Sequence, residues 1–343
     1  MAETKAKTGE QQESLWKRIS SMNGVSVFIA MVAVAILFEI VLQVMKGGSG
    51  GLIFLTPKNL GSILRQQLYV GIIAFGMTLV MITGEIDLSV GYQLTFLCSL
   101  CALLIMKTDN AVIGILGTLF VGALCGIFNG ILVAYLKLNS FITTLGSSSI
   151  FSALALMVSA GTVLVIPASA SPAFQWFGTA SFGPISILIV WFIIVAIIIG
   201  FLLHKTIYGQ QMYIIGSNPI AAKFSGIKYK RNKMIAYMIV GLCCGLAAVV
   251  MMANIKSANP QSSSGYEMQV ILCVVLGGCA VQGGKGSIGG TIIGVLFYGV
   301  LNTGFTMMNL SEYQRMIVMG LIMVFVLSMD ILKERGVKLW KKK

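Results

Sequence analysis

Thr83-Gly84-Glu85-Ile86-Asp87-Leu88-Ser89-Val90-Gly91 interrupts a long apolar stretch of the chain. The run before it is Leu68–Ile82, and the run after it is Leu94–Met106. Two carboxylates and a hydroxyl therefore sit where a membrane-embedded chain has little to solvate them. An aspartate at the centre of a spanning helix costs about 2.5–3.5 kcal/mol on insertion scales. Such a segment persists where the helix is broken, wet or paired with another group. The stretch reads as a functional break in a membrane protein.

Composition agrees outward from that point. Hydrophobic residues make up 57% of the 343 and charged residues 10%, against about 25% charged in an average soluble domain. Mean hydropathy is +0.92. The net charge of +13 does not read as nucleic-acid binding, because the basic residues gather at the ends of apolar runs. All seven cysteines (98, 101, 125, 243, 244, 273 and 279) lie in or beside apolar segments. They read as buried small hydrophobes. His204 is the single histidine, and no metal-ligand spacing is present. The first apolar run, 25–44, is too long for a signal-peptide core and lacks an Ala-x-Ala site.

A spanning helix needs about 20 apolar residues. Ten segments qualify: 25–44, 62–83, 86–106, 111–136, 141–166, 185–203, 234–253, 268–281, 288–306 and 315–332. The third, eighth and ninth are interrupted by glycine or polar residues, and the eighth is a candidate re-entrant segment. The expected fold is an all-α polytopic membrane protein of eight to ten transmembrane helices, broken near 84–91 and 277–290. With both termini cytoplasmic, eighteen of the 24 basic residues fall inside, as the positive-inside rule requires. The expected organisation is a polar segment 1–24, one permease domain over 25–333 with a cytoplasmic loop at 204–233, and a basic tail 334–343. Gly122, Gly126 and Gly130, and likewise Gly286, Gly290 and Gly294, recur every four residues. They read as close helix–helix contacts on the fourth and ninth spans.

The loop after the sixth span carries a helix signal. Asn218 suits an N-cap and Pro219 the first helical position. Ile220, Ala221, Ala222, Lys223 and Phe224 follow, and Gly226 is placed to end the helix. Ile220, Ala221 and Phe224 offer a small apolar face. From the loop alone, a membrane-surface helix and a docking knob fit equally.

Two motifs together resemble the permease subunits of bacterial ABC importers for ribose, galactose, xylose and related substrates. The first is Gly84-Glu85-Ile86-Asp87-Leu88-Ser89-Val90-Gly91. The second is Ile215-Gly216-Ser217-Asn218-Pro219 with Ala221-Ala222 and Ser225-Gly226-Ile227. Gly265-Tyr266-Glu267, Leu276-Gly277-Gly278, Gly283 to Ser287, Gly289-Gly290-Thr291 and Phe141 to Gly146 also match, in family order, over about 55–333. Glu85 departs from the second glycine found in many relatives. The resemblance implies that Asn218, Pro219, Ile220, Ala221, Ala222, Lys223, Phe224 and Gly226 form a coupling helix seated on an ATPase subunit. It implies a second permease copy or paralogue, two ATPase domains carrying ATP and Mg, an extracytoplasmic solute-binding protein, and location in the bacterial cytoplasmic membrane.

The chain itself carries no cofactor signature. The closest imitation of a phosphate loop is Gly278–Ser287, where Gly284 stands in the lysine's place and Lys285 precedes Gly286 instead of Ser or Thr. No nucleophile–base set stands out. Candidates for the translocation path are Thr83, Glu85, Asp87, Ser89, Gln93, Asn129 and Asn302. For Asp87 the competing reading is a cap that accepts N–H bonds from Ser89 or Val90; for the amides it is interhelical hydrogen bonding. Glu267 is a candidate binding-protein contact at the outer mouth, or a cap of the eighth span. Glu39, inside the first span, reads as tolerated near the outer interface or as a pathway residue. Alternatives to a sugar importer are an ion-coupled secondary transporter or channel using Glu85 and Asp87, a nucleoside or signalling-furanose importer permease, and a membrane scaffold.

Overall fold

The computed structural model describes residues 23–47, 51–183, 185–262 and 265–334. Most of the segment 1–24 and nearly all of the tail 334–343 lie outside the described residues. The long helices are α1 (Asn23–Met45), α2 (Pro57–Ile82), α3 (Val90–Thr108), α4 (Ala111–Gly130), α5 (Ser140–Ser159), α7 (Ile187–Lys205), α10 (Tyr229–Ile255), α12 (Ile288–Met307) and α13 (Glu312–Glu334). Shorter ones are α6 (Pro172–Thr179), α8 (Ile207–Ser217), α9 (Pro219–Phe224) and α11 (Tyr266–Leu276). Eight helices among the described residues are long and apolar enough to cross a membrane. The architecture is that of an all-α polytopic membrane protein.

Several boundaries depart from the sequence expectation. The break after α2 runs over 83–89, so 86–89 is not helical. The fifth segment stops at Ser159, where Ala160 enters the left-handed region at φ 52°. Its expected continuation instead forms β1 (Leu164–Val165), paired antiparallel with β4 (Ser257–Ala258). A second ribbon joins β2 (Ser181–Phe182) to β3 (Ile185–Ser186). The eighth segment is only the 11-residue α11, about 16 Å long against a hydrocarbon core of about 30 Å. Gly286 lies in the turn before α12, not on the helix.

Helices α2 and α10 form the buried centre, and α10 packs most extensively against α4. Glycine makes that contact possible. A Cβ on Gly126 would stand 2.2 Å from the Tyr237 carbonyl oxygen, and one on Gly241 would stand 2.1 Å from that of Gly122. The four-residue glycine row thus serves backbone-to-backbone packing. On α12, Gly290 and Gly294 likewise face the carbonyls of Gly277 and Cys273, at 2.2 and 1.9 Å from an added Cβ.

Glu39 is resolved by its surroundings. Its carboxylate accepts the backbone N–H groups of Ile53, Phe54 and Leu55 at 2.9, 2.8 and 2.8 Å, and Gln43 Nε2 at 3.0 Å. It fastens the α1–α2 connection.

Candidate functional site

The break at 83–89 begins because Thr83 folds its hydroxyl back to the Val80 carbonyl at 2.7 Å and Gly84 turns at φ +77°. Non-helical backbone at membrane depth must find partners in the protein. Helix α5 supplies them. Thr144 Oγ1 accepts the Leu88 N–H at 3.0 Å, and Ser148 Oγ donates to the Leu88 carbonyl at 3.0 Å. Tyr237 Oη donates to the Ile86 carbonyl at 3.3 Å.

Asp87 lies fully buried within this break. Its Oδ1 accepts the Ser89 N–H at 2.8 Å and the Ser89 hydroxyl at 2.6 Å. Asn129 Nδ2 donates to Ser89 Oγ at 2.8 Å and approaches Asp87 Oδ2 at 3.4 Å. Ser147 Oγ donates to Asn129 Oδ1 at 2.6 Å. The donors run in one direction: from α5 through α4 to the carboxylate. Among the described residues no cation pairs with Asp87; the neighbouring carboxylate Glu85 pairs with Lys233, at 2.5 Å.

The path candidates do not all converge. Asp87, Ser89 and Asn129 form one cluster, and Gln93 lies one turn along α3 from Ser89. Gln93 donates from Nε2 to the Gly122 carbonyl at 3.2 Å, while its Oε1 is buried without a partner. Thr83, Asp87, Ser89, Gln93 and Asn129 are each at most 3% exposed. Glu85 turns aside to Lys233. Asn302 lies at the opposite end of the bundle, where it and Thr306 accept from Arg315 at 3.2 and 2.7 Å. Glu267 starts α11 and accepts the Gly265 N–H at 3.3 Å; its Oε2 is buried and unpartnered.

Three segments gather at the break end: the 83–89 break, the α8–α9 hairpin, and the turn 277–287. Asn218 caps α9 by accepting the Ala221 N–H at 2.9 Å. Ser225 N donates to the Ala221 carbonyl, Ile227 N to that of Ala222, and Gly226 takes φ +73°. Ile220 and Phe224 are 70% and 86% exposed, whereas Ala222 is fully buried. Ala222 therefore seats α9 on its own chain and is withdrawn from the set of surface contacts. Ala221, Lys223 and Gly226 are exposed.

Sequence reading missed three features here. Helix α8 falls within the segment expected as loop, although Gly209, Met212 and Ile215, all buried, follow helical spacing behind the Thr206 cap. Nothing local to Lys233 marks it as the partner of Glu85, 148 residues away. The α5 hydroxyls at 140, 144, 147 and 148 share a helical face, a signal that was available. The described residues contain no cluster of three or more His, Cys, Asp or Glu able to hold a metal.

A family model described as branched-chain amino acid transport system, permease component, matches residues 59–327. The ribose import permease protein RbsC of Bacillus subtilis (strain 168) is 36% identical over 277 residues, covering 81% of this chain and 86% of that protein. RbsC of Escherichia coli (strain K12) is 34% identical over 284 residues, covering 82% and 88%. The L-arabinose transport system permease protein AraH of E. coli (strain K12) is 32% identical over 287 residues, covering 82% and 84%. No solved structure matches the chain. A multi-pass bundle with a buried polar break, matched over most of its length, makes this chain a member of the branched-chain amino acid transport system permease component family.

Proposed function

We propose that this chain is the membrane-spanning permease of an ATP-driven importer for a monosaccharide. The carrying observation is the exposed apolar pair Ile220 and Phe224 on a short helix capped at both ends, beside the buried break. In this reading the pair enters a groove on a separate ATPase subunit. The family description names amino acids, but the relatives named above, with the D-allose transport system permease protein AlsC, are named as ribose, arabinose or allose permeases. A pentose or hexose is therefore the expected solute class.

The fuel comes from the partner. Gly278–Ser287 lacks the Lys-Ser/Thr pair of a phosphate loop, and two of its glycines serve backbone packing. ATP and Mg belong to the ATPase subunits. A second permease copy or paralogue completes the pathway, and an extracytoplasmic binding protein delivers the solute to the end opposite α9. Lys205, Lys223, Lys228, Lys230, Arg231 and Lys285 cluster at the α9 end, which supports placing that end, and both termini, in the cytoplasm. One membrane domain over 25–333 with a coupling loop at 204–233 fits this arrangement.

The solute need not bind tightly here. Each nucleotide state of the ATPases has only to favour one orientation of the cavity between permeases. The buried Asp87–Ser89–Asn129–Ser147 chain then belongs to the closed arrangement of this subunit. Glu267 remains the proposed contact at the outer mouth.

The test is uptake of labelled ribose, arabinose and allose into vesicles holding the permease, its ATPase and its binding protein. Phe224→Asp with Ile220→Asp is expected to abolish ATPase co-purification and uptake while leaving the permease folded. Retention of both would overturn the docking assignment.

A further inference from the structure

Immediately behind α9 three chain segments touch chiefly through main chain. A Cβ on Gly216 would stand 1.8 Å from the Ile82 carbonyl oxygen and 2.5 Å from the Gly284 nitrogen. One on Gly283 would stand 2.6 Å from the Gly84 nitrogen, and one on Gly284 would stand 2.9 Å from the Ser217 Cα. Gly284 N donates to the Ile82 carbonyl at 2.8 Å. Tyr213 Oη, on α8, donates to the Gly286 carbonyl at 2.7 Å. The end of α8, the end of α2 and the turn 277–287 are thus locked together. Gly283 and Gly284 take φ +89° and +76°, a region that glycine enters without steric cost.

We infer that Gly216, Gly283 and Gly284 form a rigid joint that carries displacement of α9 into both broken segments, 83–89 and 277–287. The inference rests on α9 being the ATPase-docking element. Its physical basis is that the three glycines bring no compliant side chain of their own to the contact. Side chains hop between rotamers and take up small movements, whereas close-packed backbone transmits them. Ser217 is joined directly to Asn218, the cap of α9, so no flexible linker separates docking element and joint. From the joint, one arm runs through Ile82 and Gly84 to the Asp87 cluster. The other runs through the turn to α11 and α12. A further tether links α8 to the start of α10: Tyr208 Oη donates to the Asn232 carbonyl at 3.1 Å, and Asn232 Nδ2 donates to Gln211 Oε1 at 2.7 Å.

The joint differs from the other glycine contacts in what it connects. Gly126 and Gly241 bring two straight helices together. Gly216, Gly283 and Gly284 connect one docking hairpin to two interruptions, the places where the bundle is least constrained by helical hydrogen bonds. Displacing the hairpin without displacing the 277–287 turn would require breaking the Tyr213–Gly286 hydrogen bond, and the Gly284–Ile82 hydrogen bond ties that turn to the end of α2.

The experiment uses the complete complex in proteoliposomes. Gly216→Ala is expected to keep ATPase co-purification and ATP hydrolysis while ribose, arabinose or allose uptake per ATP falls by about tenfold. Gly289→Ala, where an added Cβ meets open space, is the control and should behave as wild type. Uptake per ATP unchanged in Gly216→Ala overturns the joint. Loss of the docking reading shows separately, as normal ATPase co-purification in the Phe224→Asp, Ile220→Asp variant. If Gly216→Ala does not fold, Ser217→Cys with Lys285→Cys decides the matter. Both sites are exposed and the seven native cysteines are buried, so a short bifunctional thiol linker reacts selectively. Segments that move as one body should transport after cross-linking as before. Arrest by the cross-link overturns the joint.

Discussion

Replacing Gly126 by alanine and Gly146 by alanine makes the same chemical change in two spanning helices, with opposite expected signs. A Cβ at Gly126 would meet the Tyr237 carbonyl oxygen at 2.2 Å, Met238 Cα at 2.8 Å and Tyr237 C at 2.8 Å, whereas one at Gly146 meets nothing within 4 Å. Favourable contact between heavy atoms lies near 3.5 Å, so α4 and α10 must part by about 1 Å. A gap of that size forfeits about a quarter to a half of the dispersion energy at the atoms that part. Overpacking of this kind typically costs about 1–3 kcal/mol. Alanine returns up to about 1 kcal/mol through helix propensity, which leaves Gly126→Ala destabilised. Gly146→Ala keeps the propensity gain with no clash and should be stabilised by about 0.5–1 kcal/mol. Thermal unfolding of the purified subunit in detergent, followed by intrinsic fluorescence, measures both. If Gly126→Ala unfolds at or above the wild-type temperature, the backbone contact between α4 and α10 is not as close as described.

Three further outcomes are expected. Asp87→Ala orphans the Ser89 N–H and the Ser89 hydroxyl, each at a cost of about 1–3 kcal/mol, whereas Asp87→Asn keeps an acceptor and should lose less; the same unfolding assay ranks them, and equal losses refute the directed donor chain. Glu39→Ala should leave the N–H groups of Ile53, Phe54 and Leu55 without their acceptor and expose the α1–α2 connection to limited proteolysis, with α2 onward protected; an unchanged cleavage pattern argues against the fastening role. Asn218→Ala removes the α9 cap, worth about 0.5–2 kcal/mol locally, and should weaken ATPase co-purification while the unfolding temperature of the bundle stays put; a large drop in that temperature would show that α9 supports the bundle itself.

Class, most span positions and the short helix α9 were legible because each depends on chemistry local to the chain. Twenty apolar residues partition into lipid whatever their neighbours do. Asn218, Pro219 and Gly226 define α9 because capping is a contact of a few residues with their own backbone. The break at Gly84–Asp87 showed for the same reason: its polarity conflicts with the flanking runs.

Tertiary structure decided what those local features meet. Glu85 and Lys233 are 148 residues apart and Ser147 reaches Asn129 from another helix, so no sequence window contains either pair. Seven path candidates looked equivalent as polar residues in apolar runs. Packing separated them into a buried cluster, an ion pair and a distant amide at Asn302. The apolar face of Ile220, Ala221 and Phe224 leaves Ala222 out, and only packing shows that Ala222 is buried. The short reach of α11 and the joint at Gly216, Gly283 and Gly284 also depend on how closely three distant segments approach. Periodicity and capping report what a residue does to its own helix; burial and backbone contact are properties of the assembled bundle.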